Sequence, residues 1–371
     1  MKKVKLFFMI NTLRGGGAEK ALINLLNQLN SEDYEVTLLS VEGGVFVNEI
    51  PKHVHHYQLV GEKDSFANRI KKKIIYHMPS FVFRSLFIKG KFDYEIAYLE
   101  GFSTKILSSR RSQTKTIAFV HCDIGKHQAI SKSRYFYSKI TKYYKRFHKV
   151  CFVSKDIQQS FETSYIKLDN ACVIHNIINK DEIVDLSKLE PSFIYSTLGM
   201  KIISIGRLEQ VKGFKRLLNV IKKLEDEFVF ELVILGDGSE YLELKDEIVA
   251  KKIRSVKMLG FQKNPYPILA QSDLFLCSSY TEGYSTVVNE SLLLGVPILT
   301  TDCSGMKEIF NNGKEGIIVD NSEMGIENGL RKILNDKDFY SSLKSQAIKY
   351  SEINSNEIIL NQIKKLFNQG E

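Results

Sequence analysis

Two short stretches of this 371-residue chain carry charges spaced for chemistry on phosphate and hydroxyl groups. The first is Ser204-Ile205-Gly206-Arg207-Leu208-Glu209-Gln210-Val211-Lys212-Gly213. An apolar run ends at Gly206, and two cations follow just ahead of an amphipathic stretch from Phe214 to Leu224. Positioned cations assist a departing diphosphate, because the charge that grows as the bond breaks is stabilised more in the transition state than before it. Arg207 can make paired contacts, while Lys212 acts as a point charge. The second stretch is Ser279-Tyr280-Thr281-Glu282-Gly283-Tyr284-Ser285-Thr286-Val287-Val288-Asn289-Glu290. Gly283 permits a close approach, and Ser285 or Thr286 can cap a helix whose first-turn amides then favour an anion. Glu282 falls in the loop and Glu290 within the helix. Carboxylates accept hydrogen bonds from hydroxyls in pairs, which suits one to a sugar and the other to a ribose. Taken singly, each stretch also fits a solvated surface.

Elements that could position these charges are legible as alternating patterns. Val4–Ile10 is a continuous apolar run, as expected of a strand buried on both faces of a parallel sheet. Leu22, Leu25, Leu26 and Leu29 then recur at helical spacing, and Val36–Leu39 completes a β-α-β unit. Further runs at Tyr94–Leu99, Ile117–Val120, Val150–Val153 and Ala171–Ile174 continue the alternation. A polar stretch with Pro191, Asn179–Phe193, reads as a hinge. The pattern restarts at Lys201–Ile205, Val229–Leu235, Val256–Leu259, Leu274–Cys277 and Ile298–Thr300. The expectation is an α/β protein of two doubly wound, Rossmann-like domains. Residues 1–180 plus a terminal helix within 352–371 form the first domain, and 181–351 the second. In that helix Ile358, Ile359, Ile363 and Leu366 share a face.

Composition narrows the class. Hydrophobic content of 43% and charged content of 26% are those of a folded globular protein. A net charge of +9 gives some face a basic character without choosing its partner. The five cysteines are scattered, with no metal-ligand spacing, and read as reduced thiols in a cytoplasmic protein. Met1-Lys2-Lys3 before the first apolar run resembles a signal peptide only superficially, because no small-residue cleavage pattern follows. No apolar run reaches the roughly 18–20 residues of a membrane-spanning helix.

The two charged stretches together resemble the family 4 retaining glycosyltransferases of the GT-B fold, whose pattern is Arg…Lys after the first strand of the C-terminal domain and then Glu-x7-Glu. Gly236-Asp237-Gly238, Leu259-Gly260-Phe261 and Gly295-Val296-Pro297 extend the resemblance over nearly the whole chain. It implies two domains facing a deep cleft, with the C-terminal helix crossing back to the N-terminal domain. It also implies transfer from a nucleoside-diphosphate sugar, uridine by default, with retention and with neither metal nor cofactor. Arg207, Lys212, His121 and Glu282 become the expected catalytic residues. Gly16, Gly17, Gly206, Phe261, Gly283, Tyr284, Ser285, Thr286 and Glu290 become the expected donor contacts. Of the two carboxylates, Glu282 is assigned to the donor sugar and Glu290 to the ribose. Gly15-Gly16-Gly17-Ala18-Glu19 matches the family's glycine-rich loop; it fails the dinucleotide Gly-x-Gly-x-x-Gly spacing because Lys20 sits at the third glycine. His121 ends a strand where the family has a histidine beside the sugar, and Asp123 is a candidate acceptor contact.

Basic, aromatic-rich stretches at Arg69–Lys73 and Lys132–Lys149, the latter with Tyr135, Phe136, Tyr137, Tyr143 and Tyr144, suit a surface lying on anionic lipid. The expected acceptor is therefore a polyprenyl-diphosphate-linked saccharide in bacterial polysaccharide, capsule or glycan assembly. The enzyme would act at the inner face of the cell membrane, and no nucleic-acid recognition module is present. A sugar-nucleotide epimerase of the same fold and a non-catalytic partner subunit are the competing readings. Both are disfavoured by the presence of all four charged residues.

Overall fold

A computed structural model describes residues 2–61, 65–109, 113–124, 139–310, 315–353 and 356–368. The chain divides into two compact units, 1–177 with 357–371, and 178–356. The boundaries fall at 177/178 and 356/357 rather than at 180/181 and 351/352. The reason is local: Asn356 holds Ile178, its Nδ2 donating to the Ile178 carbonyl and its Oδ1 accepting from the Ile178 amide at 3.4 Å.

The first unit is built on a parallel sheet of β1 (Val4–Ile10), β2 (Tyr34–Glu42), β3 (His55–Val60), β4 (Tyr94–Ala97), β5 (Lys115–Val120), β6 (Lys149–Phe152) and β7 (Ala171–Val173). Their order is β3-β2-β1-β4-β5-β6-β7, so chain direction across the sheet reverses between β1 and β4. Strand β1 is central, which explains its unbroken apolar sequence; Leu6 through Ile10 are all buried. β3 was not legible because it is an edge strand whose Tyr57 is 61% exposed.

In the second unit β8 (Met200–Ile205), β9 (Phe230–Leu235), β10 (Val256–Gly260), β11 (Leu274–Cys277), β12 (Ile298–Thr301) and β13 (Gly316–Val319) form a parallel sheet ordered β10-β9-β8-β11-β12-β13. Here the reversal lies between β8 and β11. β13, four residues opening on a glycine, was missed. The expected hinge at 179–193 contains a helix, Lys180–Ser187, capped by Asn179 and packed through Ile183 against Tyr266 and Leu269.

The terminal helix Glu357–Asn368 belongs to the first unit. Its buried face is Ile363, Leu366 and Phe367, with Ile359 and Leu360 alongside. Ile358 instead points to solvent, 73% exposed. The Phe367 ring meets Tyr94, Tyr34 and Phe8 at centroid distances of 5.7, 6.2 and 6.4 Å, filling the floor of the core. Among the described residues no helix is long and apolar enough to cross a membrane.

Phe367→Ala should destabilise the first unit by about 3–5 kcal/mol, the usual cost of emptying a buried aromatic site. Hydrogen exchange along β1 and β4 reads this out, and Ile358→Ala on the exposed face should leave it unchanged.

Candidate active site

Open parallel sheets bind ligands beyond the carboxyl ends of their strands, at the point where strand order reverses. In the second unit that point is flanked by the loops after β8 and β11, and these are the two stretches carrying the charges.

Lys212 closes a short 3-10 turn, Gln210–Lys212, and Gly213 follows with φ of 68°. That conformation is available to glycine, and a Cβ there would also lie 2.2 Å from the Ser278 carbonyl oxygen. The turn therefore presses directly on the β11 loop. Lys212 Nζ donates to both carboxylate oxygens of Glu282, at 2.6 and 2.8 Å, and Ser279 Oγ donates to Glu282 Oε1 at 2.5 Å. Burial pushes the Lys212 pKa down, but Glu282 more than offsets it, so the ammonium sits above the ordinary lysine value. Arg207 lies close enough to oppose this by charge repulsion. Its own side chain is 58% exposed and pairs with Glu209 at 3.3 Å. Lys212 and Glu282 are thus a fixed, mostly buried ion pair, with Arg207 as a reaching cation beside them.

A brace that the sequence reading missed holds this loop. Arg216, buried on helix Phe214–Leu224, donates from Nε and Nη2 to the Ser278 carbonyl at 2.9 and 2.6 Å, and from Nη2 to Asn321 Oδ1 at 2.7 Å. Its guanidinium lies 3.7 Å from the centre of the Tyr280 ring. Asn321 Nδ2 in turn donates to the Tyr280 carbonyl at 2.9 Å, and Thr301 Oγ1 to that of Ser279 at 2.5 Å. One signal was available: Arg216 precedes buried Val220 by one helical turn, on the apolar side.

The remaining residues of the second stretch lead into helix Thr286–Leu293. Ser285 occupies the N-cap but its side chain makes no capping bond, contrary to the expectation for Ser285 or Thr286, so the first-turn amides are not capped from within. Glu290 is buried on this helix rather than solvated, and burial raises the Tyr284 hydroxyl pKa. Gly283 packs closely on Gly305, where a Cβ would lie 2.2 Å from the Gly283 carbonyl oxygen. Gly206 follows β8 and donates to the Leu235 carbonyl at 3.0 Å. Phe261 follows Gly260 on the surface, 48% exposed.

The first unit places its candidates by the same rule. After β1, Gly16 is the N-cap of helix Gly17–Gln28, and a Cβ on it would lie 2.2 Å from Glu19 Oε2. The carboxylate of Glu19 thus folds back over the start of the helix, where the dipole favours negative charge. His121 follows β5, buried, with its ring 4.7 Å from that of Tyr98 and 6.1 Å from that of Phe119. Neither of its ring nitrogens is bonded by a side chain among the described residues, though the Tyr98 backbone lies beside the ring. Burial pushes its pKa down to about 3, the nearby Tyr98 backbone opposing this only in part. Asp123 is buried and accepts from Ser160 Oγ at 2.6 Å, so a structural bond already occupies one of its oxygens. Tyr143 and Tyr144 are core residues, which removes them from the aromatic surface expected of 132–149. Tyr135, Phe136 and Tyr137 lie outside the described residues.

The family profile of glycosyl transferases group 1 matches residues 199–350, and that of glycosyltransferase family 4 matches residues 15–182. The chain belongs to the family 4 glycosyltransferases. It is 28% identical over 362 residues to a Campylobacter jejuni N-acetylgalactosamine-N,N'-diacetylbacillosaminyl-diphospho-undecaprenol 4-alpha-N-acetylgalactosaminyltransferase, covering 92% of this chain and 93% of that one. A second C. jejuni enzyme, an alpha-1,4-N-acetyl-D-galactosaminyltransferase acting on GalNAc-alpha-(1->4)-GalNAc-alpha-(1->3)-diNAcBac-PP-undecaprenol, is 25% identical over 356 residues, 93% of this chain and 92% of its own. Among solved structures, Anabaena Alr3699/HepE in complex with UDP and glucose superposes with a TM-score of 0.79 at 18% identity, covering 98% of this glycosyltransferase and 99% of that chain. The shared fold is GT-B.

With its pKa lowered to about 3, His121 stays neutral across the working range. An unfolded histidine takes up a proton near pH 6.5, so the unfolded state binds more protons and His121 contributes stability that falls as pH drops from about 6.5 toward 3. Its ring resonances in an NMR titration should therefore not move above about pH 4; a midpoint near 6.5 would contradict the buried setting.

Proposed function

We propose that this glycosyltransferase moves a hexosyl or N-acetylhexosaminyl group, with retention, from a UDP-linked donor to a polyprenyl-diphosphate-linked saccharide in bacterial polysaccharide or glycan assembly. The observation that carries this reading is the Lys212–Glu282 pair, 2.6 Å apart and mostly buried, with the exposed Arg207 beside it. A lysine kept ionised away from bulk water stabilises a departing diphosphate more than a solvated one would. Two Campylobacter relatives named for transfer to undecaprenol-diphosphate-linked saccharides support the acceptor class, and the UDP and glucose in the Anabaena structure support the donor class.

In this reading Arg207 and Lys212 neutralise the diphosphate, so that the reaction needs no metal or other cofactor. Glu282 orients Lys212 and accepts from a donor-sugar hydroxyl, and Glu290 accepts from the ribose. Gly206, Gly283, Tyr284, Ser285 and Thr286 line the diphosphate and sugar, and Phe261 belongs to the loop that receives the base. Gly16 and Gly17 serve the donor diphosphate, and neutral His121 hydrogen-bonds the transferred sugar. The acceptor oxygen bonds to the anomeric carbon on the face from which the diphosphate departs. As the carbon–phosphate oxygen bond breaks, the acceptor proton passes to the leaving phosphate oxygen.

A lipid-linked acceptor places the enzyme at the inner membrane surface, and helix Phe66–His77 supports that placement. Phe66, Ile70 and Ile74 recur one turn apart and are 79%, 44% and 58% exposed. Arg69, Lys71 and Lys73 flank them, also exposed. An apolar stripe between cations is the composition of a helix lying in an anionic lipid interface.

Lys212→Ala and Glu290→Ala should each lose two to three decades of turnover, about 3–4 kcal/mol of transition-state stabilisation. Release of nucleoside diphosphate measures this, and near-normal turnover in both folded variants would sink the assignment. Wild-type protein should sediment with phosphatidylglycerol vesicles at low salt, and Ile70→Ser with Ile74→Ser should weaken it. Wild-type protein left in the supernatant would remove the membrane surface from the proposal.

A further inference from the structure

Glu100, in the loop after β4, takes no part in the chemistry assigned above, yet it ties three strand ends together. Its Oε1 accepts from the backbone amide of His121 and from that of Cys122, the latter at 2.9 Å. Its carbonyl accepts from Asn11 Nδ2, beyond β1, at 2.7 Å, and Asn11 Oδ1 accepts from the Ser103 amide at 3.0 Å. The ends of β1, β4 and β5 are therefore joined through one glutamate and one asparagine, at the reversal point of the first sheet. Burial raises the Glu100 pKa, and the bonds from the His121 and Cys122 amides pull it back.

This matters because no side chain among the described residues bonds the His121 ring, which has only the Tyr98 backbone as a polar neighbour. Its direction follows from the backbone that carries it and from the Tyr98 and Phe119 rings beside it. Whatever sets the position of the His121 amide sets the aim of the imidazole. We propose that Glu100 is a positioning residue for His121, acting through the reach of its side-chain oxygen rather than through its charge. The proposal rests on the reading of His121 as a donor-sugar contact.

Reach and charge separate in two variants. Glu100→Gln keeps an acceptor oxygen at the same distance and discards the charge; Glu100→Asp keeps the charge and withdraws the oxygen by one methylene. Purified full-length variants are assayed for kcat and for donor and acceptor KM, with thermal melting as the check on folding. Glu100→Gln should stay within about threefold of wild-type kcat, whereas Glu100→Asp should lose about 10–100-fold in kcat with little change in donor KM, since displacement of a working group by about 1 Å can cost that much. Glu100→Gln as impaired as Glu100→Asp would overturn the proposal, because the charge would then be what matters. Wild-type kcat in Glu100→Asp would overturn it equally, and if that variant fails to fold, a loss of about tenfold or more in Glu100→Gln overturns the proposal by itself.

A double-mutant cycle with His121→Ala distinguishes this proposal from the reading beneath it. If Glu100 acts through His121, Glu100→Asp should cost nothing further in a His121→Ala background. Its full cost reappearing there would overturn the role of Glu100 while leaving His121 assigned. His121→Ala with wild-type turnover would instead overturn the assignment of His121, and with it the target of Glu100.

Discussion

A lysine and a glutamate withdrawn from water must be paired, and the second unit is organised around that requirement. Desolvating two charges costs several kcal/mol per ion, and the attraction between them offsets this only when geometry is good and the remaining lone pairs are satisfied. The fold meets both conditions. The Lys212–Glu282 contact is double, and Ser279 adds a third bond to the carboxylate. Gly213 lets the two loops press together, and Arg216 holds the far side of the β11 loop by the Ser278 carbonyl. The resulting site offers an ammonium with an orientation fixed in advance, which is what electrostatic stabilisation of a leaving group calls for.

The two units apply one topological rule to different materials. Each sheet reverses its order once, between β1 and β4 and between β8 and β11, and each collects its polar residues in the loops at that place. In the second unit those loops carry opposite charges in contact. In the first they carry glycines, a neutral histidine and a glutamate whose bonds go to backbone amides. Charge dominates one site and shape the other.

How much of this could be read beforehand follows from where each feature gets its meaning. Strands buried on both faces announce themselves as unbroken apolar runs, so the central strands were legible; β3, with Tyr57 in solvent, was not. Arg207, Lys212, Glu282 and Glu290 were legible by residue type and spacing. Their surroundings were not, because Arg216, Asn321 and Glu100 bond to backbone groups whose positions exist only once the chain has folded. Aromatic composition misled at Tyr143 and Tyr144, where apolar bulk serves the core rather than a surface. The stretch at 179–193 misled for the opposite reason: a capping asparagine and one well-placed isoleucine make a helix out of a polar sequence.

The terminal helix sets the order in which the protein can be made. Phe8, Tyr34 and Tyr94 are translated before the whole second unit, but the ring that covers them, Phe367, is translated after it. The intervening unit, 178–356, carries its own cores and can collapse while the first remains unfinished. While that unit is being made, the nascent chain carries an open apolar floor in the first unit, a natural station for chaperones. A chain interrupted between 356 and 357 would carry a whole second unit and a first unit without its cover.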